Sequence, residues 1–148
     1  MNKMIYFTLA AAVLLSFVGC NDKIDVRQEY DFALSCWHLP AEIAPGERVE
    51  IRFTLTRQGD FKGAGYYIGY IQLKGEGEVS DSEGTLLVNR ELHELRAMPG
   101  LDESDPCRQI FTLYYTALSD KRTEVRFVVA DNFGRERELE VSFDCERQ

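Results

Sequence analysis

The chain has 148 residues, 45% of them hydrophobic and 28% charged, with 17 Lys+Arg against 25 Asp+Glu and a formal net charge of −8. That length suits one domain with a core of ordinary size. The acid excess repels phosphate backbones and anionic bilayers, which argues against nucleic-acid binding and against spreading on a charged membrane.

The first element is a leader. A single cation, Lys3, precedes an apolar run from Ile5 to Val18, the layout of a secretory signal. The run is too short to span, because crossing a ~30 Å hydrocarbon core takes roughly 20 apolar residues. It closes on Leu14-Leu15-Ser16-Phe17-Val18-Gly19-Cys20, where a small residue stands directly before a cysteine, the pattern of a bacterial lipoprotein signal. Phe17 stands where leucine is more usual, and an ordinary signal peptide is the alternative. The expected division is therefore a lipoprotein signal over 1–19, a lipidated tether over 20–26 beginning at Cys20, and one domain over 27–146. At ~0.8 kcal/mol per buried methylene, two or more acyl chains hold a protein stably on a membrane surface. The expected location is the cell envelope, lipid-anchored to a bacterial membrane, with the outer membrane favoured and its side left open.

Beyond the leader, apolar residues recur every second position. Tyr30, Phe32, Leu34 and Cys36 alternate with Asp31, Ala33 and Ser35, and Val49, Ile51, Phe53 and Leu55 with Glu50, Arg52 and Thr54. Two middle stretches, Tyr66 to Leu73 and Ile110 to Tyr115, are apolar on both parities. They read as central strands covered on their second side, or as a tyrosine-rich exposed face. Asn89 starts a predicted short helix through Leu92, Leu95 and Met98, stopped by Pro99-Gly100, and an acidic loop runs on to Pro106. Val125, Phe127 and Val129, then Leu139, Val141, Phe143 and Cys145, make two further half-buried strands. Asp131-Asn132-Phe133-Gly134 between them predicts a β-hairpin over 123–145. The predicted fold is all-β, an immunoglobulin-like antiparallel β-sandwich of about seven strands with one short helix or long loop inserted.

Three cysteines follow Cys20, and none has the paired short spacing of a zinc or redox site. Cys36 and Cys145 both fall on inward registers. In this topology the first and last strands can lie side by side in parallel, making them a candidate disulfide pair. Such a bond would close a loop of about 110 residues, on the order of 4–5 kcal/mol of stabilisation in the chain-entropy account. Two small buried hydrophobes are the equal alternative. His38 and His93 stand apart, so a metallohydrolase has no ligand set, and neither a Gly-x-Ser-x-Gly elbow nor a Gly-x-x-x-x-Gly-Lys loop occurs. Asp102, Glu103 and Asp105 lack the spacing and glycine of an EF-hand. The expectation is no catalytic residue, no metal, no cofactor and no small-molecule substrate.

Several segments together resemble a known family. They are Gln28-Glu29-Tyr30-Asp31-Phe32, the strand from Gly46-Glu47 to Leu55-Thr56-Arg57 with Gly59-Asp60-Phe61, Phe111-Thr112-Leu113-Tyr114-Tyr115-Thr116, and Val129-Ala130-Asp131-Asn132-Phe133-Gly134. With the lipobox they cover nearly the whole mature chain, which is similar to the TraQ conjugal-transfer family of small lipoproteins from Bacteroides-type conjugative transposons. The resemblance implies an accessory of conjugative DNA transfer, working with a type IV secretion-like apparatus, and supplies no catalytic residues. The expected function is thus a lipid-anchored, non-enzymatic protein that binds other conjugation-apparatus proteins. Tyr66, Tyr67, Tyr70, Leu92 and Leu95 are its candidate partner-binding residues. The alternative is a surface lipoprotein that binds glycan or host protein through exposed aromatics.

Overall fold

The computed structural model describes residues 30–146; the leader, Cys20 and the tether lie outside them. Nine strands are described: β1 (Phe32–Cys36), β2 (Glu42–Ile43), β3 (Arg48–Arg57), β4 (Tyr66–Lys74), β5 (Gly77–Ser80), β6 (His93–Glu94), β7 (Arg108–Ala117), β8 (Thr123–Asp131) and β9 (Glu136–Cys145). They form a four-stranded sheet, β1-β3-β7-β5, and a five-stranded sheet, β2-β9-β8-β4-β6. Setting aside the two-residue strands β2 and β6, this is the seven-strand order of a constant-type immunoglobulin sandwich, as the alternation predicts.

The inward parities meet between the sheets. Phe53 of β3 stacks on Phe111 of β7 at 5.1 Å between ring centroids and meets Phe127 of β8 edge-on at 4.8 Å across the sandwich. Nearer the other end, Tyr115 stacks on Phe143 at 5.6 Å. Its buried hydroxyl bonds the Gln72 side chain, 3.0 Å from Nε2, and burial pushes that hydroxyl's pKa up. Gly77 makes room for it, since a Cβ there would stand 2.1 Å from the Tyr115 oxygen.

The start of the chain changes sheets. β1 pairs antiparallel with β3, the backbone crosses over residues 37–41, and β2 then pairs parallel with the end of β9. The parallel neighbour of Cys145 is therefore Ile43, while Cys36 lies opposite Phe53. The structure does not join the candidate disulfide pair: Cys36, Cys107 and Cys145 are free thiols. The parallel contact expected of the first strand is made by its continuation seven residues later. Arg137 ties β1 to β9 by donating to the Asp31 carboxylate and, at 3.0 Å, to the Phe32 carbonyl. The guanidinium holds the Asp31 carboxyl below its usual pKa.

Two turns use one device. In Asp131-Asn132-Phe133-Gly134 the Asp131 Oδ1 accepts from the Phe133 and Arg135 amides, and Gly134 takes φ +85°. Asp81-Ser82-Glu83-Gly84 repeats it, with Asp81 Oδ1 accepting from Glu83 and Thr85 and Gly84 at φ +85°. The aspartate replaces missing backbone partners, and glycine takes the left-handed conformation at no steric cost. Asn132 also reaches beyond its own turn. Its Oδ1 accepts from the Gly65 amide at 2.9 Å and its Nδ2 donates to the Gly63 carbonyl at 2.8 Å. The hairpin is thereby clamped to the β3–β4 loop.

The predicted helix from Asn89 does not form. The segment instead runs as a strap along the edge of β4, where exposed N–H and C=O groups compete for it more strongly than a single helical turn can. Asn89 Oδ1 accepts from the Gln72 amide at 3.1 Å rather than capping a helix, Arg90 sits at φ +69° and donates to the Tyr70 carbonyl, and β6 pairs with Tyr67 and Ile68. A 3-10 turn over Leu95–Ala97 is all that is helical there. Over Gly69 the strap passes so closely that a Cβ would lie 2.5 Å from the Glu91 carbonyl oxygen.

Asn132→Ala is expected to cost about 1–2 kcal/mol, and Asn132→Asp about as much because it loses the donor to Gly63, both read by denaturant unfolding. Gly69→Ala is expected to lift the strap and cost about 1–3 kcal/mol, with faster hydrogen exchange at the Arg90 amide and unchanged exchange in β7.

Candidate partner-binding surface

Strand parity divides the expected docking residues. Tyr66 and Tyr70 point between the sheets and are buried, as is Leu95 under the strap, so these three belong to the core. The doubly apolar pattern of β4 comes from real cover on its second side, by the strap at Gly69. Tyr67, 38% exposed, and Leu92, 51% exposed, remain at the surface. They share the outer face of the five-stranded sheet: Tyr67 lies on the outward parity two residues before Gly69, and a Gly69 Cβ would stand 3.1 Å from a Leu92 methyl.

Neighbouring strands extend this face. Ala130 pairs with Tyr67 and Val128 with Gly69, both outward-facing and buried, and neither in the intersheet core. Beyond them β9 presents Glu136, Glu138 and Glu140 opposite Ala130, Val128 and Arg126. Arg126 donates to Glu140 at 2.7 Å and lies 3.5 Å from Glu138. Further down, Arg122 binds Asp144 at 2.6 Å and shares Glu124 with Lys74. Exposed pairs of this kind contribute little to stability. Their effect here is to neutralise the lower half of the face and leave an apolar strip beside an acidic edge, with the mixed character of a protein interface.

A second feature is a cleft of about 440 Å³ where β3 ends and β4 begins, lined in part by Arg57, Lys62, Tyr66, Glu94, Gln109 and Asn132. Arg57 ends the inward series Val49, Ile51, Phe53, Leu55, and its side chain is 5% exposed. Nε donates to the Pro106 carbonyl at 2.6 Å, Nη2 reaches Asp60 at 3.3 Å, and the guanidinium lies 5.6 Å from the Tyr66 ring centroid. A buried charge of this kind persists when its donors are satisfied, and Arg57 thereby pins three segments together. Its position was readable as a cation on an inward parity. Among the described residues no histidine, serine or cysteine lines the cleft.

The remaining polar candidates serve the backbone. His93 Nε2 accepts from the Val88 amide at 3.4 Å within the strap. Asp102 and Asp105 accept from the Ser104 and Cys107 amides, both at 2.9 Å, and the Ser104 side chain together with its amide draws the Asp102 pKa down. Among the described residues no group of three His, Cys, Asp or Glu is placed to hold a metal ion. Trp37 falls beyond the alternating run of β1 and carries no signal in the pattern, yet it is exposed with the Arg52 guanidinium 4.5 Å over its ring.

The profile of a family described as TraQ conjugal transfer protein matches residues 3–146. Three solved structures share the architecture. A conjugative transposon lipoprotein from Bacteroides eggerthii is 33% identical, with 76% of this chain and 95% of that one covered at a TM-score of 0.63. A lipoprotein from Bacteroides thetaiotaomicron is 33% identical over 86% and 90% at 0.63. A conjugate transposon protein from Bacteroides vulgatus is 31% identical over 83% and 91% at 0.62. Among curated proteins none matches. With a profile that spans nearly its whole length and solved relatives that share its sandwich, the chain belongs to the TraQ conjugal transfer family.

Proposed function

We propose that this protein is a non-enzymatic accessory of conjugative DNA transfer, anchored by lipid at Cys20 in the cell envelope, that binds a protein of the transfer apparatus through the outer face of its five-stranded sheet. Family membership supports the process, and the relatives described as lipoproteins support the anchor. The observation that carries the surface is the exposed pair Tyr67 and Leu92 on one apolar strip, bordered by the carboxylates of Glu136 and Glu138. Aromatic and aliphatic side chains ringed by charge are where binding energy concentrates. Tethering raises the local concentration of the domain, so a modest interface suffices.

A second reading, glycan binding through exposed aromatics, draws on Trp37 and Tyr114 of the four-stranded sheet. Guanidinium groups already occupy those rings, Arg52 over Trp37 and Arg48 3.9 Å over Tyr114, which leaves less aromatic face for a sugar to stack on. The protein-binding reading is therefore preferred.

Removing the gene is expected to lower transfer frequency, and Cys20→Ser to release the protein from the membrane fraction and lower transfer as well. Leu92→Asp, at a surface position, is expected to leave unfolding unchanged and to weaken partner capture about tenfold or more. A photo-crosslinker at Tyr67 should trap a transfer component. Normal transfer without the gene overturns the process, and normal transfer with Leu92→Asp overturns the surface.

A further inference from the structure

The chain enters the sandwich at one end, and that end is aromatic. Tyr30 packs on Phe61 of the β3–β4 loop and on Phe133 of the β8–β9 turn, whose ring centroid is 5.4 Å away. From the start of β1 the strand directions place the β3–β4 loop and the β8–β9 turn here. Residues 44–47, 75–76, 118–122 and the described C-terminus at Glu146 lie at the opposite end.

Phe133 is not required by its turn. It is 52% exposed, and the turn uses only its amide, which donates to Asp131. The equivalent position of the second turn, identical in its bonding, is Glu83, exposed and charged. The Phe133 ring instead turns toward Tyr30 across the tip and still leaves half its surface to solvent. The acids nearest these rings are engaged, Asp60 by Arg57 and Asp31 by Arg137, while Lys62 adjoins Phe61. The acidic loop from Asp102 to Asp105 also stands at this end, just before β7, and Glu94 and Glu103 line the cleft beside Phe61.

We propose that Tyr30, Phe61 and Phe133 form a foot that rests on the bilayer to which the chain is anchored, with Phe133 at the level of the lipid headgroups. This rests on lipidation of Cys20. Tyr30 lies ten steps along the chain from Cys20, and at about 3.3–3.6 Å per step the tip is within roughly 35 Å of the anchor. No other end of the domain is held so near the lipid. Aromatic rings favour the headgroup region, and one inserted ring suffices to orient a domain whose membrane affinity the acyl chains already supply. The outer face with Tyr67 and Leu92 would then stand upright, its strands running away from the membrane.

The test uses the full lipidated protein in vesicles of phosphatidylethanolamine and phosphatidylglycerol, with Trp37→Phe as background. Phe133→Trp is compared with Leu118→Trp at the far end, in vesicles with and without lipid brominated high on its acyl chains. Phe133→Trp is expected to emit to the blue and lose about half or more of its emission to bromine, with Leu118→Trp unaffected. Flotation with the vesicles together with equal quenching at both positions overturns the foot and leaves the anchor standing. An unquenched Phe133→Trp, with a photo-crosslinker placed at position 133 in cells that traps a protein of the transfer apparatus, overturns it too, in favour of a protein contact. A wild-type chain that does not float overturns both the anchor and the foot. Phe133→Ser, expected to unfold at the same denaturant concentration, shows that the ring serves no essential packing role; a large loss of stability assigns it to the fold and overturns the proposal.

Discussion

The contact of Phe53 and Phe111 with Phe127 joins two sheets that share no strand pairing at that level, and the rest of the molecule is arranged around it. Once those rings are inside, the period of two leaves each strand no choice about what it shows to solvent. Tyr66 and Tyr70 follow Phe127 inward because they share its layer, and Tyr67 is turned out by the same rule. The surface proposed to meet a partner is in this sense the complement of the core. A shift of one residue in β4 would exchange the two.

The strap solves a problem that the sandwich creates. In the five-stranded sheet β4 would otherwise end on a long open edge, a template for pairing with other chains. Residues 89–94 close it with two short pairings, one amide and one asparagine side chain, and in doing so bring Leu92 onto the outer face. Protection of the edge and construction of the apolar strip are one event. At the other side of that sheet β2 pairs with only the last two residues of β9, and the charges of Glu136, Glu138 and Glu140 along the remainder discourage unwanted strand addition.

The two ends of the sandwich differ in chemistry, which gives the domain a direction. At the entry end a clamp from Asn132, a buried Arg57 and three aromatic rings make a firm tip. The far end carries Glu42, Asp120, Asp144 and Glu146 around an open groove.

Much of this was legible in the residues themselves. Alternation in β1, β3, β8 and β9 identified half-buried strands and their inward sides, because side-chain direction in a strand is a local property of the backbone. Asp131 to Gly134 announced its turn for the same reason, since an aspartate acceptor and a left-handed glycine need nothing from the rest of the fold. The family resemblance, carried by those same strands and turns, was legible too. What only the tertiary structure decided was everything set by a neighbour distant in sequence. Asn89 looked like a helix cap until the β4 edge supplied a better partner in Gln72. Cys36 and Cys145 share an inward register, but the chain crosses between sheets before it reaches β9, so Ile43 takes the place beside Cys145. Tyrosines on both parities of β4 became core or surface only when one side of the strand packed against the opposite sheet. Local pattern determines which way a residue faces; which partner it finds there depends on chain crossings and edge competition that no short window of sequence contains.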